Sequence, residues 1–253
     1  MLTSAAAPIS LAASHVLAAG SSGPSPLWYT TRATGVVALL LLTITVALGV
    51  AGTARVETRA MPRIVRSGLH RNVALLAAAF VAVHVLTSVL DPYAGIGFIS
   101  AVIPFSSAYR TLWLGLGAVA FDMMLALVIS SLLRTRLSYR AWRGVHWLAY
   151  ACWPVALWHG LGTGTDSRLS WLLVLDAACV LAVGIAVCWR LQLAPRGDLR
   201  TAGITGTAAF VLATVVFVAV GPLQHGWARR AGTPVHVAGA AHAAPAGRPG
   251  DGE

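Results

Sequence analysis

The chain has 253 residues, of which 57% are hydrophobic and 10% charged, and its mean hydropathy is +0.76. This composition excludes an ordinary soluble domain and is typical of a membrane protein with several spans. The formal net charge is +10, but every basic residue is an arginine and the arginines are sorted by loop. We therefore interpret the charge as a membrane-topology signal and expect no nucleic-acid partner.

Apolar stretches of about 20 residues, the length needed to cross a bilayer, recur along the chain. They predict an all-α bundle of six transmembrane helices. The predicted spans are 27–50, 70–90, 110–133, 144–162, 170–190 and 203–222. The transmembrane domain is thus expected at 27–222, between a flexible outer tail at 1–26 and a disordered outer tail at 223–253 that is rich in Ala, Gly and Pro.

Most of the arginines lie in the loops that follow the first, third and fifth predicted spans. The positive-inside rule assigns these loops to the cytoplasm, so both termini are expected outside. Tryptophans near both predicted interfaces form the usual aromatic belt. The pattern predicts a multi-pass protein surrounded by lipid in a bacterial plasma membrane.

Two histidines lie within the second predicted span. His70 and His84 are fourteen residues apart, so on an α-helix they share a face and lie about 21 Å apart along the axis. Ionisable residues inside a membrane are costly and usually have a function.

The fourth predicted span holds two more histidines, His146 and His159. Because this span runs in the same direction as the second, the two histidines match the first two in depth. Thirteen residues would place the two imidazoles about 140° apart on an ideal helix. We expect a kink at Pro154 or a tightened turn near Gly160 to redirect His159.

Paired histidines at two depths predict two metal centres stacked across the membrane. The three cysteines form no CxxC or CxxCH motif, which disfavours zinc and a covalently attached heme. We therefore predict two hemes without covalent attachment, an inner one held by His70 and His146 and an outer one held by His84 and His159. Interhelical hydrogen bonding is the structural alternative for such histidines.

Heme propionates need cationic or hydrogen-bonding partners. By position, Arg66, Arg71 and Arg143 are candidates for the inner heme, and Arg32 is the candidate for the outer one. The three inner arginines fit a role in topology and lipid contact equally well.

The histidine-bearing segments resemble the ferric reductase-like transmembrane domain family. The resemblance rests on LHRN around His70, on VAVHVL around His84, and on SLLRTRLSYRAWRGVHWLAYACWPVALWHGLGTGTD, which holds His146 and His159. It covers roughly residues 27–192. The family comprises the membrane parts of ferric reductases and NADPH oxidases and the heme subunit of a bacterial methionine sulfoxide reductase system. The resemblance implies that these four histidines bind two b-type hemes and that electrons pass from the cytoplasmic side to the outer side.

The resemblance also implies an oxidoreductase component that needs a separate electron donor. Oxidases and reductases of this kind append a cytoplasmic flavin and nicotinamide domain. We recognise no flavin or NAD site here, since GLGTG at 160–164 follows a span and not a strand. We expect a cytosolic flavin reductase or a membrane quinol as donor, and an outer acceptor that the sequence does not identify.

Two other functions are compatible with the sequence. The chain could be a quinone-linked cytochrome b subunit that anchors a larger oxidoreductase. It could also be a permease or scaffold without a cofactor, since histidines and acids such as Asp122 and Asp176 occur inside transporters too. The permease is disfavoured because the first and third spans share no repeated pattern.

Overall fold

The computed structural model describes residues 25–53, 62–92, 95–164, 169–193 and 197–233. Within these ranges the chain is helical and contains no strand. The helices are α1 (Pro26–Thr53), α2 (Arg63–Leu90), α3 (Phe98–Val102), α4 (Thr111–Leu132), α5 (Tyr139–His146), α6 (Leu148–Thr163), α7 (Ser170–Gln192), α8 (Asp198–Val220) and α9 (Trp227–Arg230).

Five helices in the described part of the chain are long and apolar enough to cross a membrane, namely α1, α2, α4, α7 and α8. Their large apolar side chains face outward as well as inward: Leu181 on α7 is 63% exposed and Val215 on α8 is 61% exposed. Such a surface is stable only against lipid, since in water it would leave an extensive apolar patch. The chain is therefore a multi-pass, all-helical membrane protein.

The fourth predicted span falls on α5 and α6. The helix α6 has 16 residues and covers about 24 Å, less than a full bilayer core. The helix α5 ends at His146, and α6 follows after the single residue Trp147. The amide of Tyr150 donates to the carbonyl of Trp147, so a tightened turn separates the two histidines of this segment. This turn lies before Pro154 and Gly160, where the sequence suggested a redirection, and Pro154 lies inside α6.

Tryptophan–threonine hydrogen bonds connect α6 to its neighbours. The indole of Trp153 donates to Thr43 Oγ1 on α1 at 2.9 Å, and the indole of Trp158 donates to Thr214 Oγ1 on α8 at 3.0 Å. Each threonine hydroxyl donates in turn to a carbonyl of its own helix, so no polar group in these contacts is left unpaired. These two anchors fix α6 against α1 and α8.

Residues 221–233 fold back after α8 as turns and the short helix α9. The Trp227 ring packs against Trp113 at the start of α4, with centroids 5.6 Å apart. This order contrasts with the disorder that composition predicted from residue 223, because aromatic packing outweighs the Gly-rich sequence here. We call residues 221–233 the C-terminal cap. The rest of the predicted tail, like residues 1–24, lies outside the described residues.

Candidate functional site

Two histidine pairs lie between α2 and the α5–α6 segment. The ring centroids of His70 and His146 are 6.3 Å apart with planes at 67°, and those of His84 and His159 are 6.2 Å apart with planes at 82°. We call these the first and the second pair. The structure brings together the same partners that matching by depth predicted.

Three of the four imidazoles bond to a backbone carbonyl of a neighbouring helix. Nδ1 of His70 lies 3.0 Å from the carbonyl oxygen of Thr45. Nδ1 of His84 lies 2.7 Å from that of Thr31, and Nδ1 of His159 lies 2.8 Å from that of Trp113. A carbonyl oxygen can only accept, so Nδ1 carries the proton in each of these rings. The lone pair is therefore on Nε2, and a bond of this kind is the usual second partner of a metal-ligating histidine.

Each accepting carbonyl lies four residues before a glycine. The pairs are Thr31 and Gly35, Thr45 and Gly49, and Trp113 and Gly117. In a helix the carbonyl of residue i points at the amide of residue i+4, so the side chain at i+4 lies close to that oxygen. A Cβ atom would lie 2.9 Å from the His84 ring at Gly35, 3.3 Å from the His70 ring at Gly49 and 2.5 Å from the His159 ring at Gly117. The missing side chain thus gives each imidazole access to a carbonyl already used in the helix.

His146 is held in a different way. Its Nδ1 is buried and has no hydrogen-bond partner among the described residues. Its ring stacks on that of Trp142 instead, with centroids 5.0 Å apart and planes at 22°. The half of α4 that leads to α5, residues 118–132, contains no glycine like those beside the other three imidazoles. Stacking therefore takes the positioning role that a hydrogen bond has in the other three.

The arginines that the sequence suggested for propionates differ in burial. Arg66 is 7% exposed, and Arg32 is half-buried with its guanidinium carbon 3.7 Å from the ring centroid of Trp28. Arg71 and Arg143 are exposed. Arg32 and Arg66 are therefore the better placed of the four.

Sequence reasoning did not single out Arg110, whose side chain is 1% exposed. Its Nη1 donates to the Gly162 carbonyl on α6 and its Nε donates to Thr233 Oγ1 of the C-terminal cap, both at 2.8 Å. In the sequence it is one more arginine at a predicted helix end, and only the fold of the cap reveals its burial.

The donor set fits a metal that brings its own equatorial ligands. A histidine nitrogen binds a metal ion at about 2.0 Å and the ring centroid lies about 1.1 Å behind it, so two imidazoles on opposite sides of one ion have centroids about 6.2 Å apart. Both pairs match this separation. The described part of the chain holds no group of three or more His, Cys, Asp or Glu side chains that could bind a bare ion. Two imidazoles on two sides are what an iron porphyrin requires.

Comparison with known proteins identifies the family of the chain. Residues 34–157, about half of the chain, match the family model of the ferric reductase like transmembrane component. The matched region contains His70, His84 and His146 and ends two residues before His159. No curated protein and no solved structure matches the chain. The chain belongs to the ferric reductase-like transmembrane domain family.

Proposed function

We propose that the chain binds two b-type hemes, one in each histidine pair, and carries electrons across a bacterial plasma membrane. The observation that carries the proposal is the pair of centroid separations, 6.3 Å and 6.2 Å, each suited to one iron between two imidazoles. Family membership supports the same role, since the matching model describes a transmembrane component of reductases.

Heme held between the two imidazoles of each pair would supply one-electron transfer. Hydrogen bonds hold three imidazoles by Nδ1, which leaves the lone pair of Nε2 available to a metal ion. His146 is held by stacking. Apolar surroundings exclude water from the two pairs. Fourteen residues of α2 set the two pairs about 21 Å apart along the axis.

The proposed topology has six spans, with α5 and α6 together as the fourth. Both termini face outward, so the His70–His146 pair is the inner one and the His84–His159 pair the outer one. We assign Arg66 to the propionates of the inner heme and Arg32 to those of the outer heme. Arg71 and Arg143 are exposed, which suits contact with lipid headgroups better.

The proposed electron source is a separate donor. A cytosolic flavin reductase would deliver electrons to the inner pair, and the outer pair would pass them to an acceptor outside. The chain is then the membrane heme component of an oxidoreductase system and depends on that donor.

A cavity of about 350 Å³ favours a second candidate, a quinol-linked cytochrome b subunit. It lies between α6, α7 and α8, and its lining includes Tyr150, Trp153, Gly184, Thr207 and Phe210. This lining is mainly apolar, and Tyr150 lies four residues after the inner ligand His146. A lipid-soluble donor would fit here. Loss of activity with a quinone-site inhibitor, but not on removal of a flavin reductase, would favour this candidate.

Proteoliposomes test the proposed function directly. Dithionite added outside vesicles that contain trapped ferricyanide should reduce the trapped acceptor when the wild-type protein is present. His84→Ala should abolish this reduction, whereas His225→Ala, which changes an exposed histidine of the cap, should leave it intact. Equal rates with wild-type protein and with His84→Ala would contradict the proposal.

A further inference from the structure

The C-terminal cap contacts the start of α4 at three points. The backbone amide of Arg110 donates to the Gly232 carbonyl at 3.0 Å, and its Nε donates to Thr233 Oγ1 at 2.8 Å. The rings of Trp227 and Trp113 pack with centroids 5.6 Å apart. All three contacts are thus made to two residues, Arg110, which directly precedes α4, and Trp113 in its first turn.

Both of these residues also contact the helix that carries His159. The Trp113 carbonyl accepts from His159 Nδ1 at 2.8 Å. The Nη1 of Arg110 donates at 2.8 Å to the carbonyl of Gly162, three residues further along α6. One buried guanidinium thus bonds to the cap and to the histidine helix at the same time. Moving it would leave a buried charged donor without acceptors, which is costly.

The backbone of Arg110 supports this role. Its φ of +43° lies in the left-handed region, where a residue with a side chain is strained. Strain of this kind persists only where the surrounding contacts over-determine the position. Here the over-determining contacts come from the cap and from α6 together.

We infer that the C-terminal cap positions the second histidine pair, with Arg110 as the positioning residue that connects the cap to the His159 helix. In the first pair, stacking on Trp142 holds His146, and none of the cap contacts described above reaches Trp142 or a histidine of that pair. The cap therefore acts on the His84–His159 level alone. Its effect on a bound heme rests on the proposed function, but its effect on the histidine helix does not.

Point variants of the full-length chain test this inference by amide hydrogen exchange. Thr233→Val removes one hydrogen bond to Arg110 and keeps the side-chain shape, and Arg110→Met removes all side-chain bonds of that residue. Both should speed exchange at residues 159–164 by about tenfold or more, as for the loss of a hydrogen bond to a charged group. Residues 70–76, next to the first pair, should be unaffected. Arg229→Met, on an exposed arginine of the same cap, is the matched control.

A second readout separates positioning from general stability. In heme-loaded protein, Thr233→Val and Arg110→Met should shift the midpoint potential and electron paramagnetic resonance signal of one heme, the one lost in His84→Ala, and leave the other unchanged. Exchange at 159–164 equal to that of Arg229→Met, or equal changes at both histidine levels, would overturn the inference. Purified wild-type protein without heme would contradict the proposed function, while the exchange measurement would still decide on the cap.

Discussion

The imidazole of His159 occupies the space that a side chain at Gly117 would fill. A Cβ atom there would lie 2.5 Å from ring atoms, and the same ring donates to the carbonyl four residues earlier in α4. The His84 ring has this relationship to Gly35, and the His70 ring to Gly49. The glycines are thus part of the histidine sites, because a side chain at any of these positions would crowd the imidazole that reaches the carbonyl partner.

Gly117→Ala should therefore eject the imidazole of His159 from its position. We expect heme content to fall from two to about one per chain, with the outer heme lost. Heme extraction from purified protein measures this. Gly160→Ala is the matched control, because a Cβ there meets nothing within 4 Å although it neighbours the same histidine. Equal heme content in the two variants would contradict the role of Gly117.

The severity of glycine substitutions should follow the space available at each site. A Cβ at Gly49 lies 3.3 Å from the His70 ring, a contact that a small shift relieves, whereas the corresponding distance at Gly35 is 2.9 Å. We expect Gly49→Ala to retain both hemes and Gly35→Ala to lose part of the outer one. Heme per polypeptide should be highest in Gly49→Ala, lower in Gly35→Ala and lowest in Gly117→Ala. Any other order would show that ring clearance is not the determining factor.

Trp142→Leu should weaken the inner heme selectively. His146 has no carbonyl partner in the described structure, so the stacked indole at 5.0 Å is what orients its ring. An aromatic pair of this kind contributes about 0.5–1.5 kcal/mol, so affinity for the inner heme should fall roughly threefold to tenfold. Heme titration of the apoprotein measures the loss. Trp147→Leu is the control, because Trp147 is 60% exposed and pairs with Tyr150 instead.

The angles between imidazole planes predict the magnetic signature of the two proposed hemes. The planes meet at 67° in the first pair and 82° in the second, far from parallel. Nearly perpendicular imidazole planes leave the iron dxz and dyz orbitals close in energy. Both ferric hemes should then give highly anisotropic low-spin resonance signals, with the outer heme the more anisotropic. A rhombic signal typical of parallel imidazoles would contradict this geometry.

Residue spacing was sufficient to predict which histidines pair. The two histidines of α2 are fourteen residues apart, and the fourth predicted span runs in the same direction as the second. This predicted that His84 lies opposite His159, and the two ring centroids are 6.2 Å apart in the structure. The sequence left the direction of His159 open, and it gave no signal for the tightened turn at Trp147 that separates the two histidines of this segment. The C-terminal cap was missed because its order comes from contacts between residues distant in sequence, such as Trp227 and Trp113.

The carbonyl partners left a signal in the sequence that could have been used. Thr31 and Gly35 are followed fourteen residues later by Thr45 and Gly49, the same interval as that between the histidines of α2. Two antiparallel helices with equal intervals must meet at two matching levels. The burial of Arg110 left no such signal, since a lone arginine before a span is ordinarily a topology determinant.

The absorption spectrum of the purified chain, oxidised and then reduced with dithionite, together with a heme count, tests the central claim most directly. Two b-type hemes per chain with six-coordinate spectra are expected, with one lost in His70→Ala or His146→Ala and the other in His84→Ala or His159→Ala. A folded but colourless protein, or bound heme that survives all four substitutions, would contradict the proposed electron path.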